Sequence, residues 1–338
     1  MGGRAVQSLP VAGQGGVNRL DGIAPLLFVG IWATGFVLAR FVGPYAEPLA
    51  FLTLRFALSA VVFALLALAA GAPWPRSARA WGAALLCGVL MQGAYLFGVF
   101  WSVRHGLPAG IAALVGGLQP LLTAALAIPL LDEAVGPRRW LGIGLGFAGA
   151  AFVLAPGLAV PGTVHPSLDS GGLPLLPLAV CLGGTLAMTL GTILQKRTGS
   201  GGDLRAGAAV QFLGATLAMA PVAAATGEFH FGWAWQAWAG LAWGVLGLSV
   251  GAIGLLLRMI RRGAVSGVAS LFYLVPPAAA LIAYLGFGER LGLLQIAGMG
   301  LAGLGVALAS RAGPAPTPRA PHASDRSGRT ATTSLPGR

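Results

Sequence analysis

The sequence predicts an all-α integral membrane protein of ten transmembrane helices, built as two inverted five-helix repeats with both termini cytoplasmic. Three observations predict it. Of 338 residues, 56% are hydrophobic and 9% charged, where a soluble domain carries ~25% charge, so no water-facing surface can be built. The apolar runs are long and do not alternate in polarity, which suits spanning helices of ~20 residues and not barrel strands. The second half of the chain also resembles the first at a nearly constant offset.

Residues 1–20 form a Gly-rich, polar N-terminal tail, followed by the spans Ile23 to Arg40, Leu49 to Leu68, Trp81 to Trp101, Pro108 to Leu131 and Trp140 to Val160. The first apolar run continues to full spanning length with no A-x-A site, so no cleavable signal peptide is expected. These five spans make a first repeat over residues 21–160, and a Pro/Gly/Ser-rich extracytoplasmic linker follows at 161–172. The second repeat, 173–310, holds Leu173 to Leu194, Ala206 to Ala225, Trp238 to Leu257, Val265 to Phe287 and Leu291 to Ala309. Residues 311–338, rich in Pro, Ser, Thr and Arg, have no means of burying a core and are expected to be a disordered basic cytoplasmic tail.

Orientation follows from the basic residues, which concentrate on cytoplasmic loops. Only Arg40, Arg55, Arg104 and Arg290 of the 21 fall on the predicted outer side. Most of the net charge of +12 is thus a topology label, and no nucleic-acid partner is expected; membrane lipids are. Both termini inside requires an even number of spans. The excess of Arg over Lys, with abundant Ala and Gly, suggests a GC-rich bacterial genome and hence the bacterial inner membrane.

A shift of 156 pairs Gly35 with Gly191, Leu38 with Leu194, Arg40 with Lys196, Phe56 with Phe212 and Gly88-Val89-Leu90 with Gly244-Val245-Leu246. A shift of 157 pairs Gly110 with Gly267 and Pro120 with Pro277, and 156 returns for Glu133 with Glu289 and Gly149 with Gly305. Five spans is an odd number, so the second copy enters the membrane upside down. Inverted five-helix repeats are a transporter architecture with the substrate site at the midplane between them.

Particular stretches resemble the EamA-type permeases of the drug/metabolite transporter superfamily across about residues 20 to 310: Trp32-Ala33-Thr34-Gly35-Phe36, Leu54-Arg55-Phe56, Leu118-Gln119-Pro120-Leu121, and the paired ends Leu131-Asp132-Glu133 and Phe287-Gly288-Glu289-Arg290. The resemblance implies secondary transport of small metabolites or drugs, usually export, with no cofactor and no enzymatic activity. It does not name the substrate, and it is compatible with a homodimer.

Candidate substrate contacts are polar or helix-breaking residues away from span ends. Pro120 and Pro277 each remove a backbone donor near mid-span, freeing carbonyls that a cavity or a neighbouring helix must satisfy; a plain packing kink is the simpler alternative. Gln119 on the fourth span, Gln92 and Tyr95 on the third, and Ser270 and Tyr273 on the ninth lie on faces turned from lipid. Thr189 on the sixth serves a site or an interhelical hydrogen bond equally well. Trp32 is placed to stack on an aromatic substrate. Arg55, about two turns into the second span, is suited either to a substrate carboxylate or to snorkelling toward the outer interface.

All nine acidic residues fall at span ends or in loops, so proton coupling through a mid-depth carboxylate is not expected. Arg40 with Glu289 at the outer face, and Lys196 with Glu133 at the inner face, are swapped copies that suit alternating gate latches or, more plainly, interfacial charges.

Some matches carry no chemistry. Gly144-x-Gly146-x-x-Gly149 and Gly298-x-Gly300-x-x-Gly303 fit a dinucleotide fingerprint but follow no strand and have no acid about 20 residues on; they are read as small-residue packing faces. Gly247-x-Ser249-x-Gly251 fits a nucleophile elbow, which needs a strand-to-helix turn, and is likewise read as packing. Cys87 and Cys181 sit in apolar runs, and the four His are scattered, so no metal site is indicated. The competing class is a membrane-embedded enzyme acting on a lipid-soluble substrate. It needs a convergent acid or His cluster, and Asp132-Glu133 beside Arg138-Arg139 is the nearest approach.

Overall fold

The computed structural model describes residues 19–131, 136–158, 173–198, 203–261, 271–289 and 292–311. Among them the chain is helical, with no strand beyond one isolated bridge between Ala46 and Phe231. The helices are α1 (Arg19–Val42), α2 (Pro48–Ala69), α3 (Ala78–Gly88), α4 (Tyr95–Arg104), α5 (Ala109–Gly117), α6 (Gln119–Leu131) and α7 (Pro137–Leu158). They continue with α8 (Leu175–Thr198), α9 (Leu204–Thr226), α10 (Trp235–Ala242), α11 (Ala252–Arg261), α12 (Val275–Phe287) and α13 (Leu293–Arg311). A π-helical turn, Val89–Ala94, joins α3 to α4, and another, Trp243–Gly251, joins α10 to α11. Seven of the resulting runs are long and apolar enough to cross a membrane, and Val275–Phe287 and Leu293–Ala309 are shorter apolar helices.

Local chemistry sets the helix ends. Pro48 opens α2, where its missing N–H costs nothing, and the Ser77 hydroxyl caps α3 by accepting from the Ala80 amide at 3.2 Å. Gly227 and Gly288 close α9 and α12 at φ of 74° and 69°, a left-handed turn that favours glycine. The fourth apolar run breaks at Leu118, two residues before Pro120, which has no N–H to give to the Gly116 carbonyl. In the ninth, a 3-10 turn at Phe272–Leu274 leads into Pro276 and Pro277 in the first turn of α12.

Helices approach through glycine. On α7, a Cβ at Gly142 would lie 2.4 Å from the Ala309 amide nitrogen, and one at Gly149 2.3 Å from that of Ala302; Gly305 on α13 faces Gly146 in the same way. Gly146, Gly149 and Gly298, from the glycine patterns set aside as nucleotide motifs, are among the close contacts that pack helix against helix, whereas Gly144, Gly300 and Gly303 have open space at the Cβ. Gly88 meets the backbone of Gln211 on α9 as closely, and Phe212 stacks beside Phe56 and Phe63 of α2. Leu26, Leu65, Leu217, Leu246, Leu285 and Leu304 point outward and exposed, as expected where lipid replaces water. At one end of the bundle the chain between α1 and α2 meets that between α9 and α10: Glu47 and His230 exchange hydrogen bonds, and the Gly232 amide donates to the Tyr45 carbonyl at 2.8 Å.

Candidate functional site

A cavity of about 150 Å³ lies among α1, α2, α4, α8, α9, α11 and both π-helical turns, so both halves of the chain line it. α1 supplies Trp32, Gly35 and Phe36, α2 supplies Arg55, and the first π turn with α4 supplies Met91, Gln92, Tyr95, Leu96 and Val99. The second half contributes Met188, Phe212, Leu248, Ser249 and Ile253. The wall is mostly apolar, with few polar groups, which is the composition of a small-molecule site.

The π turns shape this wall. At the offset of 156, Val89–Ala94 corresponds to residues 245–250, inside Trp243–Gly251. Such wide turns interrupt regular helices mostly at functional positions. Here they turn Met91 and Gln92 from one half, and Leu248 and Ser249 from the other, into one space. The two walls are equivalent in position but unlike in chemistry, since the residue 156 after Arg55 is Gln211.

Arg55 is the charged group of the cavity and is only 5% exposed. Its Nε donates to the Gly244 carbonyl at 3.2 Å, and Ser249 Oγ donates to the same carbonyl at 3.1 Å. Ser249 Oγ in turn accepts from Ser59 Oγ at 3.1 Å. A Cβ at Gly244 would sit 3.1 Å from Arg55 Cδ, so the glycine leaves room for the stem. Arg55 Nη1 is buried with no hydrogen-bond partner among the described residues. The placement is inward, not snorkelled. An unpaired buried cation is costly, and a guanidinium does not escape by losing its proton.

Of the other residues singled out in the sequence, Trp32, Gln92 and Tyr95 join Arg55 in the cavity. Trp32 is braced edge-on by Phe272, with ring centroids 5.1 Å apart. Tyr95 Oη lies over Gly116, where a Cβ would be 2.8 Å from it. Gln119 and Pro120 lie outside the cavity lining, and Gln119 Nε2 donates to Thr123 at 3.0 Å and Thr192 at 3.2 Å, tying α6 to α8. Thr189 is fully buried and donates to the Thr185 carbonyl one turn back. Pro277 is on an outward cleft of about 990 Å³ between α12 and α13. Ser270 and Glu133 lie outside the described residues, as does the Tyr273 side chain.

Three of the four charges read as latches lie among the described residues. The Arg40 guanidinium lies 6.0 Å from the Phe287 ring centre. Glu289 is buried and accepts from the Ala109 and Gly110 amides at 3.3 and 3.5 Å, which caps α5. Lys196 is exposed in the last turn of α8.

Phe36, Met91, Met188, Phe212, Leu248 and Ser249 line the cavity without having been singled out as contacts. Ser249 was set aside within Gly247-x-Ser249-x-Gly251 as a packing face, but its hydroxyl is in the polar cluster around Arg55. The doubled Gly-Val-Leu at 88–90 and 244–246 was the available signal, since both π turns begin there.

Long apolar helices, a leucine-covered exterior and a mostly apolar cavity lined by both halves define a multi-pass membrane protein of the transporter class. The chain belongs to the EamA-like transporter family, which it matches twice, over residues 22–155 and 175–311. It is 29% identical over 301 residues to a "Probable terminal-alkyne amino-acid exporter" of Streptantibioticus cattleyicolor, covering 85% of this chain and 92% of that one. It is 25% identical over 175 residues to the "Uncharacterized transporter YvbV" of Bacillus subtilis, a match that spans about half of each protein, 50% and 52%. A crystal structure sharing 19% identity superposes with a TM-score of 0.58 over 85% of this chain and 98% of that one, a likeness of fold alone.

Proposed function

We propose that this protein is a secondary transporter that exports small metabolites or drugs across the bacterial inner membrane by alternating access between two inverted five-span repeats. The observation that carries the reading is the cavity lined by both halves through π turns at repeat-equivalent positions. A site shared by two pseudo-symmetric halves is exposed to one side or the other as the halves rock. On this reading both termini are cytoplasmic, and the two glycine-packed helices α7 and α13, 156 residues apart in register, move as a unit.

The test is efflux of a metabolite panel from proteoliposomes holding the purified protein. Movement of a panel member down an imposed gradient, chemically unchanged and absent from empty liposomes, is the expected result. A chemically altered product, with no solute moved, would overturn the reading in favour of a membrane-embedded enzyme. Among the described residues no group of three His, Cys, Asp or Glu side chains comes together, so such an enzyme has no metal cluster there to work with.

A further inference from the structure

We infer that the cavity selects small organic anions, a single carboxylate or similar oxyanion on a compact apolar body, with Arg55 as the residue that reads the charge. This deepens the transporter reading and rests on it for the direction and fact of transport. It rests on the cavity alone for the chemistry bound.

Arg55 is 95% enclosed by protein, lines the cavity, and has one nitrogen, Nη1, with no hydrogen-bond partner among the described residues. Among the described residues no carboxylate appears in the cavity wall. All nine acids of the chain fall at predicted span ends or in loops, so the span assignment places no counter-ion for Arg55 at this depth. An oxyanion entering the cavity neutralises the charge, and a small turn of the guanidinium, whose Nη1 is out of a water molecule's reach as it stands, gives that nitrogen its acceptor. A guanidinium is the side chain best matched to that task, because its planar donors fit a carboxylate.

Gln92 and Tyr95 add a donor amide and a hydroxyl, and no hydrogen bond among the described residues engages either side chain in the protein itself. The rest of the wall, Trp32, Phe36, Met91 and Met188 among it, suits an apolar or aromatic body. A volume of about 150 Å³ matches a cavity that takes up benzene. The same site disfavours two other classes. A cation meets the unneutralised Arg55, and the ammonium of a zwitterion finds no carboxylate to replace its water.

The test uses four probes that share a phenyl ring and differ in charge, with the full-length protein: benzoate, benzenesulfonate, phenylalanine and phenethylamine. Binding to purified protein in detergent is followed by tryptophan fluorescence and by ligand-induced thermal stabilisation, and flux by uptake into proteoliposomes. Benzenesulfonate serves for flux because it stays charged and does not leak across as a neutral acid. The two anions are expected to bind more tightly than phenylalanine or phenethylamine, and Arg55→Gln to weaken them about 10- to 100-fold, the worth of a hydrogen bond to a charged group. Arg55→Lys should recover part of that loss. Melting of each unliganded variant shows that it is folded.

If the anions bind in this manner but none is transported, the anion site stands and the transporter reading fails. If phenylalanine or phenethylamine is transported and the anions neither bind nor move, the transporter reading stands and the anion site is overturned. Anion binding that is unchanged in folded Arg55→Gln, or no binding by either anion, also overturns it.

Discussion

Replacing Arg55 by methionine is predicted to make the empty protein more stable. Among the described residues the guanidinium makes one hydrogen bond, from Nε to the Gly244 carbonyl at 3.2 Å, and losing it costs about 1.5–3 kcal/mol, less at this long distance. That carbonyl is not orphaned, because Ser249 Oγ still donates to it. Against this loss stands a charge 95% removed from solvent with Nη1 unpartnered among the described residues, and the effective penalty of burying an ion is several kcal/mol. Methionine keeps the apolar stem and its adaptable shape. The net expectation is a gain of about 1–3 kcal/mol, the range seen when buried ionic groups give way to apolar ones. That corresponds to a rise of a few degrees in unfolding midpoint. The assay is thermal unfolding in detergent at one fixed scan rate, without added anions, comparing wild type with Arg55→Met. A midpoint that falls by several degrees refutes the reasoning, because it shows that Arg55 holds the helices together and is not a binding group kept at a cost.

Gly149→Leu should destabilise the protein by 1–3 kcal/mol or more, since the added atoms meet the Ala302 backbone at 2.3 Å. Gly144→Ala, with open space at its Cβ, should leave the melting midpoint equal or higher. Glu289→Ala removes the cap on the Ala109 and Gly110 amides and is expected to cost about 1 kcal/mol, read from the same melts; an unchanged midpoint argues against the cap. The Asp203 side chain caps α9 and pairs with Arg205 at 2.9 Å, and that hydrogen bond holds its carboxyl at about 2, below the usual carboxylate range. Because the folded value is depressed, the stabilisation is present above the unfolded value near ~4 and is lost as pH falls toward about 2. The difference in midpoint between wild type and Asp203→Asn should therefore be constant from neutral pH down to about 5 and shrink below it.

Much of the architecture was legible because lipid as solvent leaves little freedom. Long unalternating apolar runs imply helices, and the doubled Gly-Val-Leu marked where both helices widen into π turns. Trp32, Arg55, Gln92 and Tyr95 were legible as well, since polar or broad aromatic groups within spans need something other than lipid to face. What stayed hidden was geometry that hydropathy does not encode. Gln119 looks like Gln92 in sequence, but after the break at Leu118 it bonds to Thr123 on its own helix and to Thr192 on α8. Pro277 repeats Pro120 in position and still ends on the outward cleft. Ser249 resembled a packing residue because nothing in its neighbours announces that a widened turn brings it under Arg55. The choice between snorkelling and burial for Arg55 depended on Gly244, 189 residues away, leaving room for its stem.

The central claim, a cavity that opens to either side of the membrane in turn, is tested most directly by labelling a cysteine placed at Gln92. The background carries Cys87→Ala and Cys181→Ala, both native cysteines being buried. A membrane-impermeant thiol reagent is applied to right-side-out and to inside-out vesicles, with and without benzenesulfonate. Alternating access predicts modification from both faces, with the anion slowing both. Modification from one face only, or from neither, under every condition contradicts the account.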